Sequence, residues 1–138
     1  MERRDYILLE IEKIGLILAA IKQKLFGGKE NLAITIDKQA EDTKEILFNE
    51  LNFELDKFLI MNMDESIQYL EGFQGFNIEN TDSLAEYFAE LGLREQPSIQ
   101  AKAYLEKALQ VYTISNLKSK TYSMEREMRM MEIKSVLE

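Results

Sequence analysis

The chain contains no cysteine and no histidine. The first absence excludes a disulfide framework and thiolate chemistry. The second removes the commonest general base and the commonest metal ligand together. Ser–His and Cys–His nucleophile pairs cannot form. A zinc site would have to be built from carboxylates alone, and the Glu-x-x-His element of di-iron bundles is missing. One proline and six glycines in 138 residues suit helices with short connections rather than a turn-rich β fold. A long hydrophobic run is also lacking near the N-terminus. Met1–Tyr6 followed by ILLEIEKIGLILAAI has the outline of a signal peptide. Glu10, Glu12 and Lys13 interrupt it, however, and no small-residue cleavage site follows. Its longest uncharged piece, Ile14–Ile21, falls far short of the ~20 residues of a membrane span. These features predict a cytoplasmic protein that does not enter a membrane.

What is present is an ordinary complement for one domain. Hydrophobic residues make up 46% of the chain, enough to bury a core and to argue against wholesale disorder. The net charge of −8 is unevenly spread. Glu41 to Glu95 holds 14 acidic and 3 basic residues, whereas the rest carries a small basic excess. Such an acidic belt repels phosphate backbones, so nucleic acid is not an expected partner. The belt reads as a solvated helical surface or as a recognition surface for something basic.

Apolar spacing divides the chain into helices. In Arg4–Phe26, Ile7, Ile11, Ile14, Leu18, Ile21 and Leu25 alternate by four and three on one stripe. Tyr6, Leu9, Leu16, Ile17 and Ala20 form a second flank, which predicts a helix packed by at least two partners. Gly27-Gly28 closes it. Asn31 is read as the N-cap of a second helix, on which Ala33, Ile36, Ala40, Thr43 and Leu47 share a face. A break is expected near Asn52, with Leu55, Phe58 and Leu59 resuming the apolar face. Asn62-Met63-Asp64-Glu65 has the pattern of a capping box opening a short helix through Glu71. Gly72–Phe76 reads as a connector with two buried aromatics, continued by Asn77–Asn80. It lacks the Lys, the Ser/Thr and the strand of a phosphate loop. Asn80–Ser83 offers caps for a helix through Leu91, stopped by Gly92; Pro97 opens the next, which runs to about Asn116. A last helix spans Thr121–Leu137.

The segment Ser83–Tyr112 resembles a tetratricopeptide helical hairpin. Phe88 and Ala89 stand at the large and small positions of that family's first helix, and Ala101, Leu105 and Ala108 match the small–large–small set of the second. Ala85, Gly92 and Thr113 depart from the pattern, standing where the family prefers a large aromatic, Tyr and Pro. Ala33 and Ala40 repeat the seven-residue separation of Ala101 and Ala108, a faint echo that makes the first two helices a second, divergent hairpin. The whole chain is also similar to a group of short bacterial proteins with tetratricopeptide-like helices, through Arg4-Asp5-Tyr6-Ile7 and Ile11-Glu12-Lys13-Ile14-Gly15. The resemblance implies an all-α fold of antiparallel helical hairpins, a right-handed array of about five to seven helices. It divides the single domain into a first hairpin at about 4–60, a short helix and connector at 61–80, and the tetratricopeptide-like hairpin with the last helix at 81–138. It also implies a concave surface from the first helices, here Ser83, Glu86, Glu90 and Leu93. Charge at Glu86 and Glu90 would favour a basic or amphipathic segment there.

The last helix carries the clearest sign of an interaction. Met124, Met128 and Met131 line one face; Tyr122, Met130, Ile133 and Leu137 line nearly the opposite one, beside Arg126 and Arg129. One face can pack on the preceding helix. The other is expected to be covered by a second copy, by a binding partner, or by another part of the chain, and methionine adapts well to such surfaces. The main functional expectation is therefore a non-catalytic interaction or adaptor module, possible as a homodimer, with no cofactor. A carrier of a small apolar ligand, lined by Phe48, Phe53, Phe58, Phe73 and Phe76, is the alternative. A carboxylate-based enzyme would have to use Glu41 with Glu45 or Glu86 with Glu90, each pair one helical turn apart. Such pairs are commonplace on acidic helices.

Overall fold

The computed structural model describes residues 2–26, 36–94 and 98–138. These form seven helices and no strand: α1 (Arg3–Phe26), α2 (Ile36–Leu51), α3 (Leu55–Leu59), α4 (Met63–Glu71), α5 (Ile78–Arg94), α6 (Ile99–Lys118) and α7 (Met124–Leu137). Among the described residues no helix is long and apolar enough to cross a membrane. The chain divides into two compact units, Met1–Asn80 and Thr81–Glu138. The expected closing glycines Gly27-Gly28, the Asn31 cap, the position of Ala33 and the placement of Pro97 lie outside the described residues.

In the first unit α1 packs against α2, and α2 against α3. Ile14, Leu18, Ile21 and Leu25 are buried, as the four-and-three spacing predicts. The second apolar flank of α1 is not: Tyr6, Leu9 and Leu16 are exposed. Two partners do meet α1, namely α2 and the connector that follows α4, but the second flank is not the face they cover. Flank width alone does not distinguish a buried face from an open one.

Ala40, Thr43 and Leu47 line the buried face of α2, and the Thr43 hydroxyl donates back to the Gln39 and Ala40 carbonyls. The break near Asn52 is present. Asn52 adopts φ 58°, the left-handed conformation that asparagine tolerates best among residues with a side chain. Its N–H donates to the Phe48 carbonyl at 2.8 Å, the bond that closes such a cap. The capping box of α4 is reciprocal. Glu65 N–H donates to Asn62 Oδ1 at 2.9 Å, and Asn62 N–H to Glu65 Oε1 at 3.0 Å.

The connector after α4 is held by close approach. A Cβ at Gly75 would lie 2.7 Å from the Glu10 carbonyl oxygen and 2.6 Å from Ile14 Cδ1, so only glycine lets the loop backbone rest on α1. Asn80 fastens the same place, its side-chain amide donating to the carbonyls of Ile11 and Gly75 at 2.9 and 2.8 Å. Phe76 is buried there, while Phe73 is only half-buried, which corrects the expectation of two buried aromatics. Asn77–Asn80 is not a connector either. The Asn77 side chain accepts from the Asn80 N–H at 2.9 Å, capping geometry that starts α5 at Ile78, ahead of the expected cap.

In the second unit α5 continues through Gly92 to Arg94, so Gly92 is no stop signal. A Cβ on Gly92 would fall 2.6 Å from Leu105 Cγ and 3.0 Å from the Ala101 carbonyl oxygen. The glycine marks the point where α5 meets α6. Ala85, Phe88 and Ala89 on α5 and Ala101, Leu105 and Ala108 on α6 are all fully buried. Ser98 caps α6, accepting from the Ala101 N–H. Ser123 caps α7, accepting from the Arg126 N–H. The last helix therefore starts at Met124 rather than Thr121, because Ser119 and Thr121 are engaged in hydrogen bonds to each other in the preceding turn.

Candidate functional site

The second unit resolves which face of α7 is buried. Met130 and Ile133 are inside, whereas Met124, Met128 and Met131 are 65%, 63% and 68% exposed. At ~100° of rotation per residue the three methionines fall within about 60° of one another. They form one apolar stripe along the outer side of a 14-residue helix. Tyr122, expected on the same face as Met130 and Ile133, lies before the helix and is exposed. Leu137 is half-buried at the C-terminal end.

Arg126 and Arg129 determine how α7 is seated. Arg126 forks onto Asp82, with Nε to Oδ1 and Nη2 to Oδ2 both at 2.9 Å, and its Nη1 donates to Asn116 Oδ1. Its side chain is almost fully buried. The hydrogen bonds to Asp82 raise its pKa above the ordinary arginine value, against the opposing effect of burial. Arg129 reaches Glu86 at 2.6 Å and Glu90 at 2.7 Å from one nitrogen, and Glu132 at 2.9 Å from another. Burial works against its charge, yet the hydrogen bonds it donates to Glu86, Glu132 and Glu90 outweigh it and raise the pKa. Tyr112 completes the cluster, its hydroxyl donating to Glu86 Oε2 at 2.8 Å. Burial first, and the Glu86 charge second, push that phenol far above its usual value.

The residues named from sequence therefore separate. Ser83 is exposed, and Glu86, Glu90 and Leu93 are half-buried. The Glu86 and Glu90 carboxylates converge, but on the guanidinium of Arg129; an incoming basic segment would meet charge that is already balanced within the chain. Asp82, Tyr112 and Asn116 complete this network, and the sequence reading did not pick them out. Their signal was the four-residue spacing of Asp82, Glu86 and Glu90 set against Arg126 and Arg129, which becomes meaningful once the helices are known to touch.

The aromatic residues of the first unit form a packed cluster. Phe53 meets Phe58, Tyr69, Phe73 and Phe76 with ring centroids 5.2–6.1 Å apart, and Phe53 and Phe58 are fully buried. Phe48 stands apart, 46% exposed. Beside the cluster are depressions of about 380 Å³ and 300 Å³, the second walled by Lys44, Asp56 and Lys57 as well as Phe48. Among the described residues no three acidic side chains gather as a metal site would require. Glu41 and Glu45 are both exposed on α2, with Lys44 3.7 Å from Glu41. No protein-family model, curated protein or solved structure matches the chain.

Proposed function

We propose that the protein is a non-catalytic interaction module. In this reading α5 and α6 are an antiparallel tetratricopeptide-like hairpin, α7 is the helix that closes it, and the outward face of α7 receives a helical segment of another protein. The observation that carries the proposal is the contrast between the two faces of α7. Three methionines stand about two-thirds exposed on a helix whose opposite side is pinned by buried Ile133 and by the arginines. An apolar stripe at helical spacing is the kind of surface into which amphipathic helices dock, and the unbranched thioether adapts to varied partners. The fully buried Ala89, Ala101 and Ala108 support the hairpin arrangement. The carrier reading has less support, since Phe58, Phe73 and Phe76 pack directly on Phe53 and Phe48 faces solvent.

The test uses the full chain labelled with 13C at methionine methyls. It is titrated with a panel of amphipathic helical peptides of differing flanking charge. Shifts at Met124, Met128 and Met131, with Met130 unmoved, are the expected result. If no peptide of any charge moves the three methyls, the docking reading fails. Light scattering across a concentration series detects the competing case, in which a second copy covers the stripe.

A further inference from the structure

We infer that the occupant of the Met124–Met128–Met131 face is a cationic amphipathic helix, one with an apolar stripe bordered by lysine or arginine. The inference rests on the docking reading above and adds the charge of the partner. Read as sequence, α7 looks nearly balanced, with Glu125, Glu127 and Glu132 against Arg126, Arg129 and Lys134. The fold tips that balance. Arg126 is drawn under the helix to Asp82, and Arg129 to Glu86 and Glu90 as well as to Glu132 on α7 itself, leaving their side chains 4% and 18% exposed. The acidic residues stay near the outer side. Counting ~100° per residue, Glu125 and Glu132 border the methionines on one side, and Glu127 and Lys134 on the other. Glu125 and Lys134 are exposed, Glu132 keeps about half its side-chain surface, and Glu127 is half-buried. The stripe is thus rimmed by three carboxylates, of which Glu132 is bonded to Arg129, and one ammonium.

This rim also separates the candidate occupants. A second copy would bring the same acidic border, on a chain of net charge −8, and like charges facing across an interface disfavour the pairing. A helix with basic borders meets the carboxylates as its apolar side covers the methionines. α7 spans ~21 Å, so a partner helix of about 14 to 16 residues matches its length.

Two peptides of about 15 residues with the same leucine face, one bordered by lysine and one by glutamate, are titrated into the methyl-labelled chain. The lysine peptide is expected to bind at least about ten-fold more tightly, equivalent to about 1.4 kcal/mol. Its advantage should shrink as salt is raised from about 50 to 500 mM and fall several-fold in Glu125→Lys. Equal or tighter binding of the glutamate peptide overturns the charge assignment and leaves the docking surface standing. A light-scattering mass of two chains, with the three methyls buried in the free protein, overturns it in favour of self-association. Failure of both peptides to shift any of the three methyls removes the docking reading, and this inference with it.

Discussion

Gly92 on α5 lies directly against Leu105 on α6: a Cβ added to the glycine would sit 2.6 Å from Leu105 Cγ. Glycine inside a helix ordinarily costs about 1 kcal/mol relative to alanine. Here the missing methyl is what allows the two helices to meet. Gly92→Ala gains that propensity but must displace a buried branched carbon and crowd the Ala101 carbonyl oxygen, 3.0 Å from the same Cβ. Overpacking of this kind costs about 1–3 kcal/mol. The expected net result is destabilisation by about 1 kcal/mol, read as a lower urea midpoint with an unchanged slope. A stability equal to or above wild type would show that the helices can separate freely.

The seat of α7 can be measured at Arg126. Its buried guanidinium is matched in geometry to Asp82, which is itself about one-third exposed. Arg126→Ala therefore leaves a carboxylate that water can partly reach, and a cost of about 2–3 kcal/mol is expected, at or below the usual range for breaking a buried pair. A double-mutant cycle with Asp82→Ala should return a coupling of about 1–3 kcal/mol. Lys44 and Asp56 supply the contrast. They lie at 2.7 Å, but Asp56 is 70% exposed, and solvent screening holds such pairs below about 1 kcal/mol. Asp56→Asn should change stability by no more than about 0.5 kcal/mol, an effect that vanishes in salt. Similar distances with unequal burial should thus give unequal energies.

The all-helical class, the α2 break at Asn52 and the Asn62–Glu65 box were legible because each depends on residues only a few positions apart. Apolar spacing also found the buried stripe of α1. Local patterns failed where a distant segment decided the outcome. Gly92 has the same appearance whether it ends a helix or admits Leu105, and Asn77 becomes a cap only because α5 begins earlier than its apolar face. Glu86 and Glu90 were recognisable as an acidic pair, yet their engagement by Arg129 depends on a helix about 40 residues away in sequence. The open flank of α1 shows the same limit from the other side. Tyr6, Leu9 and Leu16 carry the apolar signal of a covered face without the described chain supplying the cover.

Tyr112 gives the network an alkaline signature. Its folded pKa is raised by burial and by Glu86, whereas an unfolded tyrosine ionises near ~10. The stabilisation from keeping the phenol neutral is fully present below that value. As pH climbs above about 10, the unfolded chain releases a proton that the native chain retains, and stability falls by about 1.4 kcal/mol per pH unit for this group. Tyr112→Phe removes that slope. Urea unfolding of both proteins should therefore show a constant stability difference below about pH 9 and a wild-type advantage that shrinks above about pH 10. A difference independent of pH across that range would mean that the hydroxyl is not held neutral against Glu86.

Ser115 on α6 offers the opposite kind of substitution. It is fully buried, and its hydroxyl has no hydrogen-bond partner among the described residues, although serine in a helix often donates back to a carbonyl one turn earlier. An unsatisfied buried hydroxyl carries a desolvation penalty of about 1–3 kcal/mol, and alanine is the better helix former by up to about 0.5 kcal/mol. Replacing the hydroxyl with hydrogen leaves a void smaller than a methyl group, which offsets part of the gain. Ser115→Ala should raise stability by about 1 kcal/mol, seen as a higher melting temperature. Because Ser115 is buried and the methionine stripe is on the surface of α7, peptide-induced shifts at Met124, Met128 and Met131 should be unchanged. Loss of stability on removing this hydroxyl would mean that it holds a bound water or another acceptor in solution.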